Sequence, residues 1–581
     1  MADVSALSIA DLVVRYYGRD GDALRGVSLD VPAGSFTSVA GRNGSGKSTL
    51  ALVAAGLLPR IVRAQASGRV SIDGEVVLDR SATAAPPGPA RFASSRAGIV
   101  FPNPENQLSG TKTSVREELA FGLENLGVPR AEMEPRIDRV LTDLGIGHLA
   151  DRPPYALSGG EQQRVAIASI VAMSLPVLVL DEPTAQLDPV ATDDVAALLA
   201  DLARSGIAVL AAEHAPEVLG RSTRTLVLAD GAVVQLAEPG RALDPASLVG
   251  TGLRAPTIVT IASAAGTDPA DAFDEARVAE ALGAAVAAGT LRPDPLHLEA
   301  PVVEWSAVRP SRAVDVELRG IVHRYPGGTE AVRGVDLRIP AGSTVAIVGQ
   351  NGSGKTTLVK HLNGLLRPAA GSVRLDGVDT AGSPVHRLAA TVGFVFQNPD
   401  DQLFSRTVAR ELRFGPRNLA LPEAEATRLV AAALEAIGLG AEREVNPYDL
   451  NVSDRKLVAL GSVLATDPPV LVLDEPTTGQ DAPGVARVGA IVDALHAAGR
   501  TVIAITHDME FAAGHFERIV VMRHGRVVAD DGPQAVFAAG NAELLASTGL
   551  KPPPAARIAA RLGLARQALD WPSLRAALTA G

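Results

Sequence analysis

Gly41-Arg-Asn43-Gly44-Ser-Gly46-Lys47-Ser48-Thr49 and Gly349-Gln-Asn351-Gly352-Ser-Gly354-Lys355-Thr356-Thr357 are two copies of one phrase, G-x-x-x-x-G-K-[ST]. Each follows an apolar run, FTSVA or TVAIV, and precedes a helix-compatible one, so each reads as a strand, a phosphate-binding loop and a helix. Glycines let backbone N–H groups wrap phosphate oxygens and the helix start adds a positive dipole. Lysine then reaches the β and γ oxygens, while Ser48 or Thr356 can ligate Mg²⁺. The spacing predicts an α/β fold, twice, with ATP and Mg²⁺ as ligands.

Working outward from each loop, the run VLVL ends in Asp181-Glu182 and again in Asp474-Glu475. A buried parallel strand delivers such acids to the sheet edge where ligands bind. Asp181 and Asp474 suit Mg²⁺ coordination, and Glu182 and Glu475 are placed to orient or deprotonate water. A further apolar strand ends at His214 and at His507. Repetition behind the acidic strand marks both histidines as catalytic candidates. Lys47 and Lys355 lie 308 apart, whereas Asp181 and Asp474, like His214 and His507, lie 293 apart. The surplus in the first copy falls between Leu58 and Gly98, where SATAAPPGPA reads as an exposed loop.

The whole chain has 581 residues, enough for about four packed units at the usual domain size. A net charge of -11 argues against nucleic acid as a partner, and the absence of cysteine excludes disulfides, iron–sulfur clusters and cysteine zinc sites. The start, MADVSALSIADLVVRYY, lacks the basic region of a secretory signal. The most apolar stretch, Val165 to Leu180, is interrupted by Ser169, Ser174 and Pro176 and is too short to span a membrane. The organisation expected is a first ATPase domain over 1–245, an Ala-rich appendage and linker over 246–312, a second ATPase domain over 313–547 and a helical tail over 548–581. The phrases TGLRAPTIVTIASAAG from Thr251 and TGLKPPPAARIAARLG from Thr548 extend the duplication into that tail.

The segment LSGGEQQR, Leu157 to Arg164, resembles the signature of ATP-binding cassettes (ABC ATPases), and the resemblance covers nearly both halves. It implies two P-loop NTPase (RecA-like) cores, each with a helical subdomain, as a tandem duplication. In that family two cassettes pair head to tail, so that Ser158, Gly159 and Gly160 would complete the other cassette's ATP site. The tyrosines Tyr17 and Tyr325, upstream of the loops, would stack on adenine as family aromatics do; an ordinary packed or surface role is the alternative. More narrowly, NPENQL and QNPDDQLF, with AFGLENLGVP and RFGPRNLALP, look like the ATPase subunits of energy-coupling factor (ECF) transporters, which power vitamin or metal-ion uptake. This resemblance implies a peripheral protein on the cytoplasmic face of the cell membrane, bound to a transmembrane coupling (T) subunit and a small substrate-binding (S) subunit. Glu105, Gln107, Asp400, Asp401 and Gln402 would lie near that contact.

The 293-residue spacing carries Ser158, Gly159, Gly160 and Glu161 onto Asn451, Val452, Ser453 and Asp454. The second signature is therefore degenerate, and serine in place of glycine is expected to disturb a close backbone approach to phosphate. Pro102 stands where the second copy has Gln397, and proline offers no side-chain oxygen to Mg²⁺ or water. With head-to-tail pairing both defects fall in one site, which leaves Lys355, Gln397, Glu475 and His507 facing Ser158 as the main hydrolytic site. Two rivals remain: a double-cassette translation factor acting on ribosomes, and the ATPase of another ABC transporter. The first is disfavoured because residues 246–312 hold more acids than arginines and no lysine.

Overall fold

Val177–Asp181 and Val470–Asp474 are buried at every position, as a strand without polar alternation must be when both faces of its sheet are covered. Each lies inside a six-stranded sheet in a computed structural model that describes residues 5–18, 21–59, 61–80, 96–293, 301–305, 313–564 and 568–579. The chain divides into two units, residues 1–285 with 290–296, and 286–289 with 297–581.

In the first unit the six-stranded sheet runs Ala232–Ala237, Arg224–Ala229, Phe36–Gly41, Ala208–Ala212, Val177–Asp181, Ala97–Val100, parallel except for the first edge strand. In the second unit the same order reads Arg526–Asp531, Arg518–Arg523, Thr344–Val348, Thr501–Ile505, Val470–Asp474, Val392–Val395. This order places the strand before each phosphate loop next but one to the acidic strand, with the histidine strand between them. All three candidate groups thus emerge at one sheet edge. A four-stranded antiparallel sheet accompanies each, built on Ser5–Tyr16 and on Val316–Arg324.

Helices Val115–Asn125, Arg130–Asp143 and Gly159–Ala172 pack together as the helical part of the first unit; Val408–Asn418, Glu423–Ile437 and Val452–Leu464 do so in the second. Ser114 and Thr407 cap the first helix of each set by accepting from the backbone N–H of Glu117 and Arg410. The Ala-rich stretch after residue 245 is not bare linker. Its helices Thr257–Ala265 and Glu275–Ala288 bury Ile258, Ile261, Val278 and Leu282, and Phe273 packs on Gly220 of the first unit. The surplus loop SATAAPPGPA lies outside the described residues.

The duplicated tail phrase has a matched position in both units. Gly252 and Gly549, at φ +68° and +64°, lie against Arg42 and Gln350, the second residue of each phosphate loop. A Cβ at either glycine would meet that side chain at 2.6 Å or closer. Among the described residues, no helix is long and apolar enough to cross a membrane.

Candidate functional site

The phosphate loops turn on Gly46 and Gly354, at φ +104° and +100°. A Cβ there would approach the carbonyl oxygens of Ala23 and Ala331 to 2.7 and 2.3 Å, so only glycine can begin these helices. Lys47 Nζ donates to the carbonyls of Gly41 (2.9 Å) and Arg42 (3.2 Å), and Lys355 Nζ to Gly349 (2.7 Å) and Gln350 (2.9 Å). Each ammonium is thus positioned over its own loop, at the place a phosphate would take.

Ser48 Oγ donates to Asp181 Oδ1 at 3.0 Å, and Thr356 Oγ1 to Asp474 Oδ1 at 3.2 Å. Burial, then the adjacent glutamate, pushes both aspartates up to about 6. A hydroxyl beside a carboxylate that resists ionisation without a cation is an oxygen donor set suited to Mg²⁺. Gln397 joins this corner in the second unit, lining a pocket of about 130 Å³ with Asn351, Lys355, Thr356 and Glu475. Pro102 in the first unit lies instead on a pocket of about 140 Å³ bounded by Glu105, Gly159, Gln163, Gln186 and Leu187.

The two glutamates share a left-handed backbone, φ +48° at Glu182 and +51° at Glu475, and differ in their partners. Glu475 Oε1 lies 2.9 Å from His507 Nε2, and Oε2 accepts the His507 backbone N–H at 3.2 Å. His507 Nε2 is also 3.0 Å from Asn351 of the phosphate loop. Burial opposes ionisation of Glu475, but His507, Lys355 and Lys456 outweigh it, and the carboxyl stays below its ordinary value. Glu182 lies 3.5 Å from His214 Nε2 and 3.9 Å from Lys47 Nζ. The His214 backbone N–H goes elsewhere, to buried Glu213 at 2.7 Å, which also accepts from Thr184 Oγ1 and Ala215. The second unit has Thr506 at that position.

At the signature, Ser158 and Glu161 form a reciprocal cap on Gly159–Ala172. Asn451 replaces it with Asp454 in a related cap, accepting the Asp454 N–H at 2.9 Å and donating to its carboxylate at 2.7 Å. Ser453 departs from the expectation of a serine intruding where glycine would meet phosphate. Its side chain is buried and donates to Gln480 Oε1 in a short hydrogen bond, and Gln480 Nε2 returns one to the Ser453 carbonyl at 3.2 Å. Room comes from a matching exchange: the first unit packs Gly160 against Ala191 and has Leu187, whereas the second has Ser453, Gly484 and Gln480 at those places.

In each glutamine-loop phrase the amide closes its own loop. Gln107 accepts from Phe101 N–H and donates to the Ile99 carbonyl; Gln402 accepts from Phe396 N–H and donates to Ala459 O and Ser462 Oγ. Asp400 pairs with Arg455 at 2.9 Å, and Glu105 and Asp401 are exposed. Tyr325 Oη lies 3.0 Å from Thr357 Oγ1; the matching 3.1 Å contact to Thr49 is made by Tyr16, while Tyr17 is 65% exposed. The turn after Tyr16 is one residue longer than its counterpart, so counting straight across it selects the neighbour.

A family model described as ABC transporter matches residues 24–185 and 332–478. A protein of Methanosarcina acetivorans, provisionally named an ABC transporter ATP-binding protein, is 37% identical over 574 residues, covering 97% of this chain and 91% of its own. One of the same designation from Caldanaerobacter subterraneus subsp. tengcongensis is 35% identical and covers 96% of each chain. Among solved structures, cbiO1 of Clostridium perfringens, part of the ABC transporter complex cbiONQ, is 35% identical over 39% of this chain and 91% of that one, with a TM-score of 0.37.

Proposed function

This chain belongs to the ABC transporter family and is an ATPase, and from that premise we propose that it is the motor of an ECF-type importer. In this reading it sits on the cytoplasmic face of the cell membrane with a T subunit and an S subunit, the latter selecting a vitamin or metal ion. The phrases NPENQL and QNPDDQLF support the importer type. The observation that carries the hydrolytic part is Glu475, held ionised by His507 beside Lys355 and Gln397 in a single pocket.

The two cassettes pair head to tail on ATP, and the N-terminus of the Ser158 helix meets the γ-phosphate gripped by Lys355. Glu475 accepts a proton from water aligned with the γ-phosphorus, and His507 holds the carboxylate in place. Lys355, Asn351 and the helix N-termini stabilise the charge that develops on the phosphoryl oxygens. Mg²⁺, held by Thr356 with Asp474 and Gln397, or by Ser48 with Asp181, would supply further positive charge there when bound. Lys47, Glu182 and His214 face Asn451 and bind ATP with slower turnover. Product release separates the cassettes.

Purification of the tagged chain from detergent-solubilised native membranes, with mass spectrometry of its companions, tests the transport reading. Recovery of a multi-span subunit together with a small substrate-binding membrane protein is expected. Recovery of ribosomes without membrane proteins would overturn it and leave the ATPase.

A further inference from the structure

Glu475 is gripped at its carboxylate by His507, and it is gripped again at its main chain. Lys456 Nζ donates to the Glu475 carbonyl at 3.2 Å. Lys456 lies on Val452–Leu464, the helix opened by the degenerate signature, so the bond joins that helix to the end of the acidic strand within one unit. The residue it holds has φ +51°, a conformation that side-chain-bearing residues adopt only when their surroundings enforce it. Burial pushes the Lys456 ammonium down to about 8 against the pull of Glu475 and Asp474. A cation kept there faces Glu475 from behind and favours its carboxylate form.

The first unit shows the same backbone without this tether. Gln163 occupies the place of Lys456, is fully buried, and among the described residues neither of its amide atoms has a hydrogen-bond partner. Glu182 there also lies farther from its histidine, 3.5 Å against 2.9 Å. Departure from the signature pattern has therefore not simply removed function from the helix at Asn451. It has brought a lysine to the backbone of the glutamate assigned to hydrolysis.

We propose that Lys456 is a positioning residue for ATP hydrolysis: it ties the Glu475 main chain to the helix Val452–Leu464 and so steadies the aim of the carboxylate at the attacking water. This inference rests on the reading of Glu475 as the residue that activates water. It assigns Lys456 no contact with ATP and predicts a turnover effect without an affinity effect.

The test compares purified full-length chain with Lys456→Gln, which copies the residue the first unit accommodates, with Lys456→Arg, and with Glu475→Gln. Lys456→Gln is expected to lower kcat roughly tenfold with KM for ATP within about twofold, since a misaimed base loses rate before affinity. Lys456→Arg, which keeps a donor and a charge, is expected to restore most of it. Lys456→Gln added to Glu475→Gln is expected to change nothing more, because the group it aims is gone. Unchanged kcat in Lys456→Gln, with activity abolished in Glu475→Gln, would overturn the tether and leave the catalytic assignment standing. Equal loss of kcat and ATP affinity in Lys456→Gln, unrescued by arginine, would also overturn it by showing a purely structural role. Full activity in Glu475→Gln would instead remove the assignment of Glu475, and the tether with it.

Discussion

The corner around Glu475 and the corner around Glu182 are built from the same strands, the same left-handed turn and the same adjacent aspartate, and only one is closed around its carboxylate. Glu475 receives His507 twice and has Lys456 at its back. Glu182 receives one long contact from His214, whose N–H is taken by Glu213. Matching motifs on a matching backbone thus leave the two glutamates differently held. The difference lies in residues around the motifs, Lys456 and Thr506 in one unit against Gln163 and Glu213 in the other.

The largest effect that could break this comparison is in turnover. Glu475→Gln is expected to cut ATPase activity about a hundredfold, in the range for losing a catalytic base, and Glu182→Gln only a few-fold. Equal losses in steady-state phosphate release would erase the asymmetry. Next in size is stability. Ser453→Gly leaves Gln480 Oε1 buried without its donor and is expected to cost about 2 kcal/mol, with Ser453→Gly plus Gln480→Leu losing less than Ser453→Gly alone; urea unfolding of the full chain measures both. Ser158→Ala is expected to lower turnover roughly fivefold through one lost hydroxyl at the faster site, and Asn451→Ala to leave it within about twofold. An equal effect of the two would show that both signatures serve hydrolysis alike. The smallest effect separates neighbours: Tyr16→Phe removes the bond to Thr49 and is expected to cost about 0.5–1 kcal/mol, while exposed Tyr17→Phe costs nothing measurable by thermal melting.

The phosphate loops, acidic strands and strand-end histidines were legible in the sequence because each is a short contiguous phrase whose residue types are dictated by backbone geometry or charge, and because each occurs twice. The sheet order that gathers them was not, because no phrase states which strands are neighbours. Other parts depend on residues that touch only after folding. Ser453, Gln480 and Gly484 come from a helix start, a turn and another helix, so their mutual fit has no linear signal. Lys456 looks like an ordinary helical lysine until its helix is laid against the acidic strand. Tyr16 was missed for a smaller reason, one extra residue in a turn, and a register check across that turn finds it. Glu213 had a usable signal: an acid at the end of an otherwise apolar strand, where the second copy has Thr506, is a poor fit to burial unless something binds it.

The exchange of Gly160, Ala191 and Leu187 for Ser453, Gly484 and Gln480 also constrains what can be substituted singly. Returning Gly484 to alanine alone would place its methyl 2.1 Å from Gln480 Oε1, and returning Ser453 to glycine alone would strand an amide oxygen. Each of these two single steps back costs either space or a buried hydrogen bond. The two signatures are therefore kept apart by a mutual fit and not by any one residue, and an engineer who wants them matched must change all three positions at once.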